Sequence, residues 1–118
     1  MLSKLFSKKQ AGDDAERAAE RYLTGQGLSI IERNFRTRFG EIDLIMRDAE
    51  TLVFIEVRLR KNNDFGGAAA SIGVQKQRRI VAAAQQYIAG LRHPPSCRFD
   101  AVLITGAKIE WLKDAFGS

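Results

Sequence analysis

Asp43 and Glu56 are the residues whose type and placement most directly suggest chemistry. They stand in GEIDLIMRDAETLVFIEVRLR, Gly40 to Arg60, where apolar residues alternate on both sides of Asp48, Ala49 and Glu50. Alternation about a polar cluster spells two strands joined by a turn, a hairpin. On the first strand Ile42, Leu44 and Met46 share one face, and Glu41, Asp43 and Ile45 the other. On the second, Val53, Ile55, Val57 and Leu59 share one face, and Leu52, Phe54, Glu56, Arg58 and Arg60 the other. Both faces are largely apolar, which predicts a hairpin central in a sheet covered on both sides. Ionised side chains are costly there unless paired or metal-bound.

Register decides what the two acids can do. If Arg47 pairs with Thr51 they fall on opposite faces; if Arg47 pairs with Leu52 across a four-residue loop, Asp43 lies directly opposite Glu56. We favour the second pairing. Directly opposed residues have Cα atoms about 4.5–5.5 Å apart, close enough for two carboxylates to share a divalent cation and close enough to repel without one. The alternative, two solvated acids on an open face, fits poorly with Ile45, Leu52 and Phe54 on that same face.

The elements around the hairpin must bring other groups to it. The spacing of Ala15, Ala18, Ala19, Tyr22 and Leu23 predicts a helix starting at Asp13 or Asp14 and closed by Gly25 and Gly27. Glu16 lies at the edge of its apolar stripe and Glu20 further round, so Glu16 is the acid able to lean toward the sheet; an ordinary first-turn acid favoured by the helix dipole is the other explanation. A strand is expected from Leu28 to Phe39. Within it Arg33, Arg36 and Arg38 are interleaved with Phe35 and Phe39, a pattern suited to phosphate contact and base stacking, though also to a solvated sheet edge.

After the hairpin, Lys61 to Gly73 is rich in Gly, Asn and Ala and reads as a flexible loop able to close over a substrate; it has no GxxxxGK phosphate-binding pattern. A second helix over Val74–Ala89 buries Ile80, Ala83, Ala84, Tyr87 and Ile88 and stops at Gly90. Extending that stripe back one turn reaches Lys76, which should emerge at the rim of the sheet and donate to a phosphate or merely snorkel past the core edge, with Arg78 and Arg79 pointing elsewhere. With Arg60 and Lys61, Lys76 and the three interleaved arginines form the basic set expected to contact nucleic acid. The lone His93 has no metal-ligand partner at recognisable spacing and reads as a surface residue. Strands are expected over Arg98–Thr105 and Lys108–Leu112, with Trp111 in the core and Asp100 a third acid, a partner for Arg98 or a solvent-facing residue.

The whole chain sets the context. Its 118 residues make one domain, 13–118, behind a flexible basic arm, 1–12. A net charge of +5 points to an anionic partner, most commonly nucleic acid. A lone Cys97 excludes a disulfide framework and a thiolate metal cluster. Without an apolar run long enough to span a bilayer, no membrane association is expected and the cytoplasm is the expected compartment.

The order helix, three strands, helix, two strands, with Asp43 followed by EVR at Glu56–Arg58, resembles the PD-(D/E)xK nuclease superfamily, the restriction-endonuclease-like α/β fold that includes archaeal Holliday junction resolvases. Closer still, the chain is similar to the YraN family of small bacterial proteins. That likeness rests on Glu16 with Ala19, Tyr22 and Leu23; Asn34; GEIDLI at Gly40–Ile45; VFIEVRLR at Val53–Arg60; FG at Phe65 and Gly66; Lys76; RFD at Arg98–Asp100; and Trp111 before Ala115 and Phe116. The resemblance implies a mixed sheet flanked by helices and a site built from Glu16, Asp43, Glu56 and Arg58. It implies that Asp43, Glu56 and the Val57 backbone carbonyl hold Mg2+ or Mn2+ for hydrolysis of DNA phosphodiester bonds, at branched or irregular structures. Arg58 stands where the superfamily has lysine; it can stabilise phosphate charge but cannot act as a general base. A non-catalytic nucleic-acid-binding module is the alternative, and resolving a junction would call for a homodimer.

Overall fold

The computed structural model describes residues 2–60 and 72–117, with side chains from Lys9 onward. Its elements are α1 (Leu2–Gly25), β1 (Ser29–Arg36), β2 (Glu41–Asp48), β3 (Thr51–Arg60), α2 (Val74–Ala89), β4 (Cys97–Thr105) and β5 (Lys108–Leu112). The order αβββαββ is the expected one. The strands form a mixed sheet in sequential order, antiparallel throughout except for the parallel pair β3–β4, which α2 connects. The hairpin is therefore central, as its two apolar faces predict.

A helix covers each face. On one side Ala15, Ala19 and Leu23 of α1 pack on Leu44, Met46, Val53, Ile55, Val102 and Ile104. The small alanines let the helix lie close to the sheet. On the other side Ile80, Ala83 and Ala84 of α2 pack on Ile45, Leu52, Phe54, Ala101 and Leu103. Tyr87 meets Phe35 and Phe54 edge-on there, with ring centroids 5.2 and 6.1 Å apart. The helix stripes read from periodicity are the buried ones.

Three local features depart from expectation. First, α1 begins at Leu2 rather than at Asp13 or Asp14. Residues 2–12 contain no proline and many good helix formers, and elongation from a packed helix is far easier than nucleation, so the helical backbone runs through the stretch expected as an arm. The C-terminus matches expectation. Gly27 adopts φ 102° while its N–H donates to the Thr24 carbonyl and that of Leu28 to Leu23, a Schellman closure in which Leu28 packs beside Leu23.

Second, β1 ends at Arg36, short of Phe39. The Thr37 hydroxyl accepts from the N–H groups of Phe39 and Gly40 at 3.0 and 3.1 Å, and this local turn replaces strand pairing.

Third, alternation breaks in β2. The register places Arg47 opposite Leu52, as favoured, but pairing also closes Asp48 on Thr51, leaving a two-residue turn at Ala49 and Glu50. Ala49 takes the left-handed conformation there, φ 54°. At the other end, regular pairing stops at Leu44 opposite Ile55, one residue short of Asp43. Ile42 packs on the α2 side with Ile45, whereas Leu44 and Met46 pack on the α1 side. Residues 42 and 45 cannot share a face of an unbroken strand, so the chain changes face at Asp43 and Ile42 does not join Leu44 and Met46.

Candidate metal and nucleic-acid site

The break in β2 positions the first acid. Asp43 Oδ2 accepts the Val57 backbone N–H at 2.8 Å, so a side chain occupies a donor that faces β2 from β3. Its carboxylate is thereby fixed at the end of the regular ladder, beside Glu56. Glu56 is 3 % exposed and projects on the α2 side. Burial first, and then the charge and hydrogen-bonding oxygen of Asp43, push its pKa up to about 8. The two acids come together as expected, but through the Asp43–Val57 hydrogen bond and not by direct strand pairing.

Glu16 reaches the same place from the opposite helix. Its pKa is pushed up to about 7, chiefly by burial, then by Asp43, with smaller contributions from Asp13 and Glu41. Asp43 thus stands between acids supplied from opposite sides of the sheet. Two cations offset the charge. Lys76 Nζ lies 3.5 Å and Arg58 Nη1 3.9 Å from Glu56 Oε2. Lys76, in the first turn of α2, does emerge at the rim.

The donor chemistry suits a hard cation in part. Among the described residues no three His, Cys, Asp or Glu side chains form a ready-made metal cage. Mg2+ does not require one, since it usually keeps several waters and takes one or two carboxylates. Asp43 and Glu56, close enough that the Asp43 carboxylate helps push the Glu56 pKa up, fit that requirement.

The expected basic set divides. Arg33 is tied to Glu20 of α1 by two parallel hydrogen bonds, Nε to Oε1 and Nη2 to Oε2, each 2.7 Å. It clamps α1 to β1, so its guanidinium is engaged by Glu20. Arg36 makes a looser ion pair with Glu41, 3.5 Å. Arg38 lies over the Phe39 ring at 5.0 Å. Arg60 continues the Glu56 face of β3 at its C-terminal end. Lys61, the loop expected to close over a substrate, and Phe65 and Gly66 lie outside the described residues.

A groove of about 430 Å3 runs beside the acids, lined by Arg36, Arg38, Phe39, Glu41, Lys76 and Arg79 with the Thr37–Gly40 turn. Arg79 was expected to point elsewhere. It shares the groove with Lys76 because residues three apart are neighbours on a helix, a spacing that marks the pair in the sequence. Gly40 allows the turn to approach α2: a Cβ there would lie 2.6 Å from the Arg79 carbonyl oxygen.

Asp100 is not a third site acid. Fully buried, it accepts Arg98 Nε and Nη2 at 2.8 and 2.9 Å, the Trp111 indole N–H at 2.9 Å and the Asp114 N–H at 2.9 Å. Arg98 also donates to Asp48 at 3.0 Å. Trp111 is correspondingly only half-buried, its polar edge committed to Asp100. His93 is exposed, as expected.

Comparison with known proteins gives the lineage. The family model described as "Uncharacterised protein family UPF0102" matches residues 15–104, which include every acid and cation of the site. The chain belongs to this family. It is the YraN family of the sequence resemblance. A UPF0102 protein of Nitrosospira multiformis is 56 % identical over 108 residues, 89 % of this chain and 91 % of its own. One from Ralstonia nicotianae is 56 % identical over 113 residues, covering 90 % and 85 %. One from Methylobacillus flagellatus is 50 % identical over 113 residues, covering 93 % and 99 %. UPF0102 relatives thus match this chain over nearly their full length. Among the described residues no helix is long and apolar enough to cross a membrane.

Proposed function

We propose that this UPF0102 protein is a divalent-metal-dependent nuclease whose substrate is DNA. The observation that carries the reading is the approach of Asp43, held by the Val57 N–H, to buried Glu56, with Lys76 and Arg58 beside Glu56 and a basic groove alongside; Asp43 also acts on Glu16 of α1. Acids held together at the cost of mutual repulsion are the usual mark of a functional site. The likeness to PD-(D/E)xK nucleases supports the same chemistry.

Asp43 and Glu56 would hold Mg2+ or Mn2+, with the Val57 carbonyl as a further oxygen donor. Bound there, the cation would lower the pKa of a coordinated water and offset charge on the scissile phosphate. The protein's own groups do the rest. The Val57 N–H orients Asp43; Glu16 presses on Asp43 from the α1 side and supports a positive charge between the acids. Lys76 and Arg58 lie beside Glu56, where they favour its ionised form, and stand ready to contact a phosphate. Neither arginine nor a lysine paired with a carboxylate is a suitable base, so proton removal falls to water or carboxylate.

The second reading, a non-catalytic nucleic-acid-binding module, is favoured by Arg58 at the position of the superfamily lysine. Labelled linear, flapped and four-way-junction DNA incubated with Mg2+ or Mn2+ separates the two. Cleavage by the parent should drop by about 100-fold or more in Asp43→Ala and in Glu56→Ala. Tight binding without cutting, equal in both variants, would establish the binding module instead.

A further inference from the structure

The groove beside the acids has features that metal-dependent hydrolysis alone does not need. Phe39 is 44 % exposed at its wall, one of few large apolar side chains so exposed among the described residues. It stands on a turn pinned by four hydrogen bonds among Thr37, Phe39 and Gly40, including the Thr37 N–H to the Gly40 carbonyl at 2.8 Å. The guanidinium of Arg38 sits over its ring. Arg79 faces the groove from α2, and the turn abuts the Arg79 backbone so closely that only glycine fits at position 40. Lys76 belongs both to the groove and, at 3.5 Å, to Glu56. Its walls carry four cations against one carboxylate, Glu41.

An exposed aromatic ring on a pinned turn, with a guanidinium over one face and further cations along the groove, is an arrangement that can bind a base on the ring's other face and the phosphate by charge, and it selects bases that are not paired. We propose that this groove is a subsite for one unpaired nucleotide next to the scissile phosphate. Phe39 stacks its base, Arg38 and Arg79 hold its phosphate, and Lys76 spans from that nucleotide to the acids. This rests on the nuclease reading and narrows it: the preferred substrates carry single-stranded segments, as flaps and junction arms with unpaired bases do. Fully paired DNA keeps its base faces stacked within the duplex and cannot use Phe39.

The test measures binding by fluorescence anisotropy in Ca2+, with labelled 12-nucleotide single strands, the matching blunt duplex, and single strands carrying abasic sites. The parent should prefer the single strand. Phe39→Ala should weaken single-strand binding by about tenfold while leaving duplex binding unchanged, and Phe39→Trp should restore it with quenching of the new indole by the oligonucleotide. Abasic probes should be insensitive to Phe39→Ala. Arg79→Ala should weaken single-strand and duplex binding alike. If Phe39→Ala affects single strand and duplex equally, or neither, the subsite is wrong, and cleavage that still depends on Asp43 and Glu56 leaves the nuclease reading standing. If the parent binds none of the probes and cuts none of the substrates, both fall.

Discussion

Glu56 illustrates how one side chain couples stability to function. With its folded pKa at about 8 against an ordinary value of 4.5, the native metal-free protein binds more protons than the unfolded chain across that interval. Stability therefore falls as pH rises between those values: the contribution is complete below the unfolded pKa and is lost as pH passes through the folded one. Glu16, raised to about 7, acts in the same direction over a narrower window. The urea midpoint of the metal-free protein should drop from pH 5 to pH 8.5, and Glu56→Gln should flatten much of that drop. Mg2+ added at pH 8.5 should restore the midpoint, since it favours the charged carboxylates. A midpoint that is level from pH 5 to 8.5 without metal would contradict the crowding of these acids. Asp43 owes its place to one hydrogen bond, from the Val57 N–H, which sequence pattern does not reveal because it replaces the pairing that pattern assumes.

At the scale of elements, the chain spends charged residues on docking as well as on the site. Arg33 and Glu20 fasten α1 to the edge strand β1, and the Asp100 network fastens β5 and the C-terminal turn to β4. Asp100→Ala would leave the Arg98 guanidinium, the indole N–H and the Asp114 N–H short of an acceptor in a largely buried place. We expect a loss of about 3 kcal/mol, read as a lower urea midpoint with an unchanged far-ultraviolet spectrum at zero denaturant. A midpoint within error of the parent would show that Asp48 and water satisfy Arg98 alone. One of these interactions was readable as a candidate: Asp100 as a partner for Arg98 followed from their spacing on one strand face. Glu20 with Arg33 did not, because nothing local says which turn of α1 lies over which residue of β1.

At the scale of the whole molecule, four of the 19 basic residues line one groove. Arg36, Arg38, Lys76 and Arg79 gather at one end of the sheet next to the acids, rather than being spread around the surface. If these four neutralise phosphates, the logarithm of single-strand affinity should fall against the logarithm of salt with a slope of about −3. A slope near zero between 50 and 200 mM salt, on the order of the range where such contacts are lost, would remove the groove as an electrostatic site. The basic composition predicted an anionic partner without saying where it would bind.

Much of this architecture was determined by the sequence alone, and the division follows physical range. Periodicity of 2 and 3.6 residues reports burial of a face, so both helix stripes, the central hairpin and the Arg47–Leu52 register were legible. That register led to the expectation that Asp43 would lie near Glu56, although the ladder ends at Leu44 and a hydrogen bond to Val57, not direct pairing, holds Asp43 there. Only the tertiary structure decided that Glu16 lies within reach of the Asp43 charge, that β2 changes face at Asp43, and that Lys76 pairs with Glu56. It alone diverted Arg33 and Asp100 into structural ion pairs and brought Arg79 and Phe39 to one groove. Those outcomes depend on which distant segments meet and how closely, as at Gly40 against Arg79, and no local pattern carries that information.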